Sequence, residues 1–380
     1  MRVVLVSRRF WPQAQEPERT LGRLVEQLVA CGVQCTVLTA RWEAHSPVRF
    51  DYRGAAVFRL PSPAHSLWGA TRYLRAVKRW LRENGADCDL VCHSRLSRDL
   101  HGVQLAVADR RTPVLVRCEA AGDRGDVDAS RRSPFARRIT ASIENVDAVI
   151  AVSEQVRQEL LAAGVPASRI RLIENGAPID PRRSPGMQAR SRRLLHESHD
   201  LFGLPPQGGL ALYIGPLLAS QGVFELVKAW RQVVKARPTA VLWMIGEGAD
   251  GPKLWQRILN AGLDHRIILP GSFDDLTDLL QAADLLVAPA LEEHSTTIVA
   301  EAAGCRLPIV ASDLPGFRTA AGPGAQLTPP GDIDALTTAL EEGLAAGMRL
   351  GPAYAPPSLE AMGLEHRQLF EEVLSQSGRS

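Results

Sequence analysis

Glu293-His294-Ser295-Thr296-Thr297-Ile298-Val299-Ala300-Glu301, with Ala302-Ala303-Gly304-Cys305-Arg306-Leu307-Pro308-Ile309-Val310-Ala311-Ser312-Asp313 directly after it, is the stretch that decides the fold. A carboxylate follows a strand and a turn, hydroxyls come next, and a second carboxylate lies eight positions on, inside a helix that hands over to another buried strand. Backbone N–H groups opening a helix near Ser295 to Ile298 would face an anion, with the helix dipole favouring negative charge there. Ser295, Thr296 and Thr297 add side-chain donors. Glu301 suits a ribose diol, since one carboxylate accepts two hydrogen bonds, and Glu293 on the loop suits a reacting sugar. A capped surface helix with two ordinary glutamates fits this segment equally well.

Outward from that stretch, strands and helices alternate in both directions. Leu210 to Ile214, Ala240 to Ile245, Arg266 to Leu269 and Leu285 to Ala288 read as strands, with helices between them at Gly222 to Val234, Lys253 to Ala261 and Leu276 to Ala282. Earlier in the chain, strand 2–7 leads through a polar loop to a helix with Leu21, Leu24, Val25 and Leu28 at helical spacing, and Val33 to Thr39 is the next strand. Such strand, helix, strand units build parallel sheets. Leu90 to His93, Val114 to Arg117 and Ala148 to Val152 continue the first half, the last followed by Ser153 as a helix N-cap. The tips of two of these strands, His93-Ser94-Arg95 and Glu119 with Gly122, Asp123, Gly125 and Asp126, lie where open parallel sheets take ligands.

With 380 residues the chain is long enough for two such domains. We expect an α/β fold of two doubly wound Rossmann-like domains facing across a cleft. The expected boundaries are 1–176, completed by a C-terminal helix within 357–380, then a linker over 177–206 rich in Pro, Ser and Arg with one helix from Ser191 to Leu201, then 207–350.

The 44 basic and 42 acidic residues nearly cancel, so no global nucleic-acid signal exists. The opening apolar run is too short for a signal-peptide core, and no stretch reaches membrane-span length. A soluble, cytoplasmic protein is the expectation. The six cysteines lack metal spacing and read as structural or free thiols. Two basic segments stand out, a helix carrying Arg72, Arg75, Lys78 and Arg79, and a loop Arg131 to Arg138. Solvated surface is the ordinary reading of both; peripheral contact with anionic lipid through 71–80 and 131–138 is the sharper one. Gly246-Glu247-Gly248-Ala249-Asp250-Gly251 matches a dinucleotide fingerprint by letter, but its place in the second half makes it a tight strand-to-helix turn.

Taken together, the segment 285–316, the run from Asp147 to Leu160, Asn175-Gly176, Gly222 with Phe224-Glu225-Leu226-Val227-Lys228-Ala229, and Gly246-Glu247-Gly248 resemble the family 4 retaining glycosyltransferases of GT-B fold. The resemblance covers nearly the whole chain. It implies a nucleotide-sugar donor, a glycan or lipid-linked acceptor, retention of configuration, and neither a cofactor nor a catalytic metal. By it, Glu301 binds the donor ribose, Glu293 contacts the donor sugar or its phosphate, and Pro270, Gly271 and Phe273 border the base. Glu119 falls where many members keep an active-site histidine. His93 joins Glu119 and Glu293 in the expected catalytic set, and His294, Ser295, Thr296, Thr297, Ser220, Gln221, Gly246, Gly271 and Phe273 form the expected donor site.

The chain departs from the family where charge matters. Pro216 and Gln221 stand where Arg and Lys usually clamp the donor diphosphate, Gln15-Glu16 replace the paired glycines of the first loop, and His294 replaces the glycine after the first glutamate. Losing one donor to developing negative charge costs roughly 3–4 kcal/mol in a comparable hole. Arg95, Arg117, Arg124 or a protonated His294 are the candidate substitutes. A glycosyltransferase is therefore the leading expectation, and a catalytically degenerate homologue acting as a binding or partner subunit is its rival. A phosphorylase is not expected, because no second-half lysine has the setting its pyridoxal cofactor requires.

Overall fold

The computed structural model describes residues 1–12, 16–43, 45–61, 67–122, 125–178, 183–198, 209–273, 275–292, 296–345 and 356–378. The chain divides into two compact units: Met1–Gln13, Pro17–Gly176 and Leu359–Ser380 form the first, and Ala177–Ser358 belongs to the second.

Unit 1 begins with strand β1 (Arg2–Val6), helix α1 (Glu16–Ala30) and strands β2 (Gln34–Arg41), β3 (Arg49–Tyr52) and β4 (Ala55–Pro61). Helix α2 (Leu67–Asn84), β5 (Leu90–Ser94), α3 (Arg98–Val107) and β6 (Val114–Cys118) follow. Then come α4 (Asp126–Arg132), α5 (Ala136–Ile143), β7 (Ala148–Ala151), α6 (Glu154–Ala162) and β8 (Ile170–Leu172). Among the described residues the sheet has eight strands in the order β3-β4-β2-β1-β5-β6-β7-β8, parallel except where β3 meets β4. β7 is buried along its whole length, as a strand covered on both faces must be. Leu21, Leu24, Val25 and Leu28 of α1 are all buried, and each such side chain contributes about 1.5–3 kcal/mol of transfer free energy.

Unit 2 opens with α7 (Pro185–Ser198) and runs β9 (Leu210–Ile214), α8 (Val223–Ala236), β10 (Val241–Ile245), α9 (Gly251–Asn260), β11 (Ile267–Gly271) and α10 (Thr277–Ala282). It continues through β12 (Leu285–Ala288), α11 (Thr297–Gly304), β13 (Ile309–Ser312), α12 (Pro315–Ala321), β14 (Gln326–Thr328) and α13 (Ile333–Gly343). Its six described strands are all parallel, ordered β11-β10-β9-β12-β13-β14. Trp230 of α8 and Trp243 of β10 are fully buried on opposite faces of this sheet's core. The last helix, α14 (Leu359–Gln376), belongs to unit 1 and buries Met362, Leu369 and Phe370 against its sheet.

Residues 183–198 of the segment expected as a linker are built into unit 2. Ser191 donates to Asp278 at 2.6 Å, and Arg192 pairs with Asp284 at 2.8 Å. Arg183 donates to the Leu280 carbonyl at 2.8 Å, satisfying an acceptor freed at the end of α10. Its helix begins at Pro185, a residue suited to a first turn, six positions before the expected start. The expected basic loop 131–138 is helical at both ends: α4 runs through Arg132, and Ala136 opens α5. Sequence reading also misses β3, α12 and β14. Each is only three to seven residues long, too short for an apolar period to register. No helix of the described residues is long and apolar enough to cross a membrane.

Candidate functional site

In an open parallel sheet the strand order reverses at one point, and the loops leaving the carboxyl ends there diverge to leave a crevice. In unit 2 the reversal lies between β9 and β12, and the loop 215–222 and the segment after Pro289 leave it. The two are stitched together, since Leu291 N–H donates to the Ser220 carbonyl at 2.8 Å. Loop 215–222 is held by backbone pairs, a phenol and one carboxylate. Tyr213, whose phenol is pushed up by burial, donates to the Pro216 carbonyl at 2.7 Å, and Leu217 N–H reaches the Glu247 carbonyl at 3.0 Å. Asp250 accepts from Ala219 N–H at 2.8 Å and so caps the short turn Ala219–Gln221.

Glycines make this approach feasible. Gly246 has φ +140°, and a Cβ there would stand 2.0 Å from the Gly215 carbonyl oxygen; a Cβ on Gly248 would stand 2.3 Å from that of Leu217. The fingerprint-like glycines therefore serve contact with loop 215–222, which agrees with reading them as a tight turn. Gly222, at φ +68°, lies so close to the Pro289 carbonyl that a Cβ would fall 1.9 Å from its oxygen.

Within this frame Gln221 is buried, and its Nε2 makes no hydrogen bond among the described residues. Ser220 is half-buried and Pro216 exposed. Glu301 is 0% exposed on α11, and Thr297 is buried one helical turn before it. Thr296 is the N-cap residue of α11 and makes no side-chain cap bond. Gly271 ends β11 at φ +94°, beside a half-buried Phe273 and a Ser272 hydroxyl that donates to Glu247 at 3.2 Å. A cavity of about 570 Å³ lies along β11 and α9, lined by Gly246, Glu247, Gly271, Trp255 and Ile268 among others. The expected residues Glu293, His294 and Ser295 lie outside the described residues, as do Gln15 and Arg124; Glu16 opens α1, but its side chain is likewise outside them.

In unit 1 the reversal lies between β1 and β5. Here the tips carry buried charge. Arg117 is 1% exposed, paired with Glu119 and donating to Asn175. Glu119 is 8% exposed and also accepts from the Ser94 hydroxyl at 2.7 Å. Asp126 accepts from the backbone N–H groups of Leu96 at 3.2 Å and Ala120 at 3.0 Å, and from Arg95 at 3.4 Å. Burial works against the Arg95 charge, but Asp126 and Glu119 outweigh it and hold its pKa above the ordinary value. On β1's side Arg8 donates to Asp99 at 2.9 Å, and Asp99 is 1% exposed.

Two histidines are buried in unit 1. His93 Nδ1 lies 2.9 Å from the Arg95 carbonyl, and since a carbonyl only accepts, that nitrogen carries the proton. Burial lowers the His93 pKa, with Asp99 opposing. His366 of α14 is pushed down to about 3, first by burial and then by the Arg117 charge. Arg117 is thus committed inside unit 1 rather than free to replace a missing diphosphate clamp. Glu18, which sequence reading did not single out, is buried on α1 with its carboxyl pushed up by burial, and its Oε2 makes no hydrogen bond among the described residues. No local signal marks the pairs Arg8–Asp99 or Ser94–Glu119, whose members are 91 and 25 residues apart.

Residues 17–181 match the family model of glycosyltransferase family 4, and residues 209–346 match that of glycosyl transferases group 1. The chain belongs to glycosyltransferase family 4. It is 26% identical over 294 residues to a D-inositol 3-phosphate glycosyltransferase of Corynebacterium jeikeium, across 72% of this chain and 66% of that protein. It is 32% identical over 121 residues to the putative teichuronic acid biosynthesis glycosyltransferase TuaC of Bacillus subtilis, across 32% of this chain and 29% of that protein. Both alignments thus span less than two thirds of the relative.

Among solved structures it resembles sucrose-phosphate synthase from Thermosynechococcus elongatus, with TM-score 0.77 and 21% identity over 99% of this chain and 100% of that one. It also resembles Anabaena Alr3699/HepE in complex with UDP and glucose, with TM-score 0.74 and 18% identity over 97% and 99% of the two chains. At such identities these neighbours speak to the fold, which is GT-B. In this family 4 member, the position of the second glutamate is the fully buried Glu301.

Proposed function

We propose that the protein transfers a glycosyl group from a nucleoside diphosphate sugar to a hydroxyl of a glycan or lipid-linked acceptor, with retention at the anomeric carbon. The observation that carries this reading is Glu301, a carboxylate with no exposed surface on a helix that starts next to the reversal point of the unit 2 sheet. A carboxylate there is matched to the two ribose hydroxyls, and the helix start to a phosphate. In the reaction the bond from the anomeric carbon to the diphosphate oxygen breaks, and the acceptor oxygen forms the new bond while losing its proton. The diphosphate leaves with its electron pair and gains negative charge, which the site must receive.

We assign Glu301 to the ribose, Gln221, Thr296 and the α11 N-terminus to the diphosphate, and Gly271 with Phe273 to the base. Glu293 is assigned to the donor sugar, and His93 and Glu119 to the acceptor side. HepE, a structural neighbour, is described in complex with UDP-glucose, which favours a uridine nucleotide as the first donor to try. The test is calorimetry and sugar release over UDP-, GDP- and ADP-sugars. One donor class should bind and hydrolyse slowly, and Glu301→Ala should weaken that binding at least tenfold. Binding without turnover across donors and acceptors would favour a binding subunit, for which the Pro216 and Gln221 replacements argue. No binding at all would reject the donor site.

A further inference from the structure

Helices α2, α3 and α5 form one layer of unit 1. Gly102 of α3 lies against Leu74 of α2, where an added Cβ would fall 2.0 Å from the leucine, and Gln104 of α3 donates to the Ser142 carbonyl of α5 at 2.7 Å. The inner side of α2 buries Tyr73, Ala76, Val77 and Leu81. Its outer side exposes Arg72, Arg75, Arg79 and Arg82, at intervals of three, four and three that set them in one row about 15 Å long. Lys78 is half-buried beside the row. None of these five cations has an ion-pair or hydrogen-bond partner for its side chain among the described residues. Arg110 donates to the carbonyls of Leu81 and Arg82, adding a further cation at the end of α2. Across the layer, Arg137 and Arg138 of α5 are exposed and likewise unpaired among the described residues, whereas Arg132 is taken by Asp128 at 3.1 Å. Leu105 of α3, between the two helices, is 48% exposed.

We propose that this outer face docks on an anionic lipid bilayer. Like charges three and four residues apart disfavour a helix, so an unpaired row is a cost that a negatively charged surface removes. The row runs along one side of a single helix, and a bilayer presents its headgroup charge as a plane. A nucleic acid fits less well: the exposed described residues of α2 include no aromatic side chain for a base to stack on, and the chain's formal net charge is only +2. Leu105 would dip into the headgroup layer between the cations. Of the two basic segments in the sequence, the structure keeps the first whole, extends it to Arg82, and retains only Arg137 and Arg138 of the second. The surface is independent of the transferase reading, since none of these residues is assigned to donor or acceptor.

The experiment is co-sedimentation of the full chain with vesicles of phosphatidylcholine alone or mixed with phosphatidylglycerol. Binding should require the anionic lipid and weaken steeply with salt. Each cation near such a surface strengthens binding roughly fivefold. Replacing Arg72, Arg75, Arg79 and Arg82 together by Gln should therefore lower it by a factor on the order of several hundred. Gln keeps helix propensity, and unchanged thermal unfolding checks that the fold survives. Arg231→Gln with Lys235→Gln, exposed on unit 2, should bind like the parent. Equal binding to neutral vesicles, unchanged binding by the fourfold variant, or binding to single-stranded RNA with none to vesicles would each overturn the proposal.

Discussion

Around the carboxyl ends of β5 and β6, the buried groups are charged: Arg117 with Glu119, and Asp126 receiving Arg95 and backbone donors. Around the ends of β9, β10 and β12 they are nearly all neutral: glycines in van der Waals conflict with any side chain, backbone pairs, a tyrosine hydroxyl and the unpartnered amide of Gln221. Both sheets reverse strand order at the place in question, so the topology is shared and only the material differs. Unit 1 places its charges in advance and neutralises them internally. Unit 2 keeps room for backbone to approach, and the Gln221 amide nitrogen has no partner among the described residues. The first arrangement leaves its charges neutralised within the unit; the second suits a ligand that brings its own negative charge.

That contrast breaks most visibly at Arg117. Arg117→Met leaves Glu119 buried beside an apolar side chain, and removing one member of a buried pair costs about 3–5 kcal/mol. Hydrogen exchange should show the loss in unit 1, while Arg117→Met combined with Glu119→Met should recover much of it. Equal damage by the single and double variants would mean that the pair's charges are not what matters.

For unit 2 the corresponding weak point is a hydrogen atom. Gly246→Ala should cost about 2–3 kcal/mol, from a strained φ and from the contact its Cβ would make with Gly215, and the loss should register as faster exchange of β9 and β10. A variant as stable as the parent would show that loop 215–222 yields freely.

Acid should separate the units next. His366 and His93 have pKa values lowered by burial, so both stay neutral in the folded unit while the unfolded chain takes up protons below the usual value of 6.5. Their stability is complete above pH 6.5 and is lost as the pH falls, for His366 down to about 3, at roughly 1.4 kcal/mol per pH unit for each group. No described histidine of unit 2 is buried, so on acidification unit 1 should lose exchange protection first. His366→Phe should shallow that decline; an unchanged slope would place the acid sensitivity elsewhere.

The smallest effect concerns the missing cations. Gln221→Lys puts a charge back into loop 215–222 and should tighten binding of UDP by up to about fivefold, near 1 kcal/mol. Identical affinities in calorimetry would mean that the diphosphate does not reach Gln221.

Much of the fold is legible in the residues. The apolar spacing of α1 places it within a residue or two, and the strands β1, β5, β6, β10 and β12 are short apolar runs bounded by turn signals. The site is legible only in part. The spacing around Glu301 fits an ordinary capped surface helix as well as a ligand site, and only the family resemblance assigns it to the ribose; its complete burial is not that of a surface helix. The engagement of Arg117 could not be foreseen. In sequence it is one more arginine at a strand tip, and its partners Glu119 and Asn175 meet it only after β6 and the segment beyond β8 come together.

By itself the sequence determined two doubly wound α/β units and their order, because helix and strand periods are local and repeat within a few residues of themselves, and its motifs carried the resemblance to the family. Tertiary structure alone decided which charges are spent and which are available. Ion pairing, burial and the steric role of a glycine depend on how distant atoms are brought together: no described acid comes within ion-pair distance of the row on α2, Arg117 is committed because Glu119 and Asn175 reach it, and Gly246 is needed because the Gly215 carbonyl arrives 2.0 Å from where its side chain would begin.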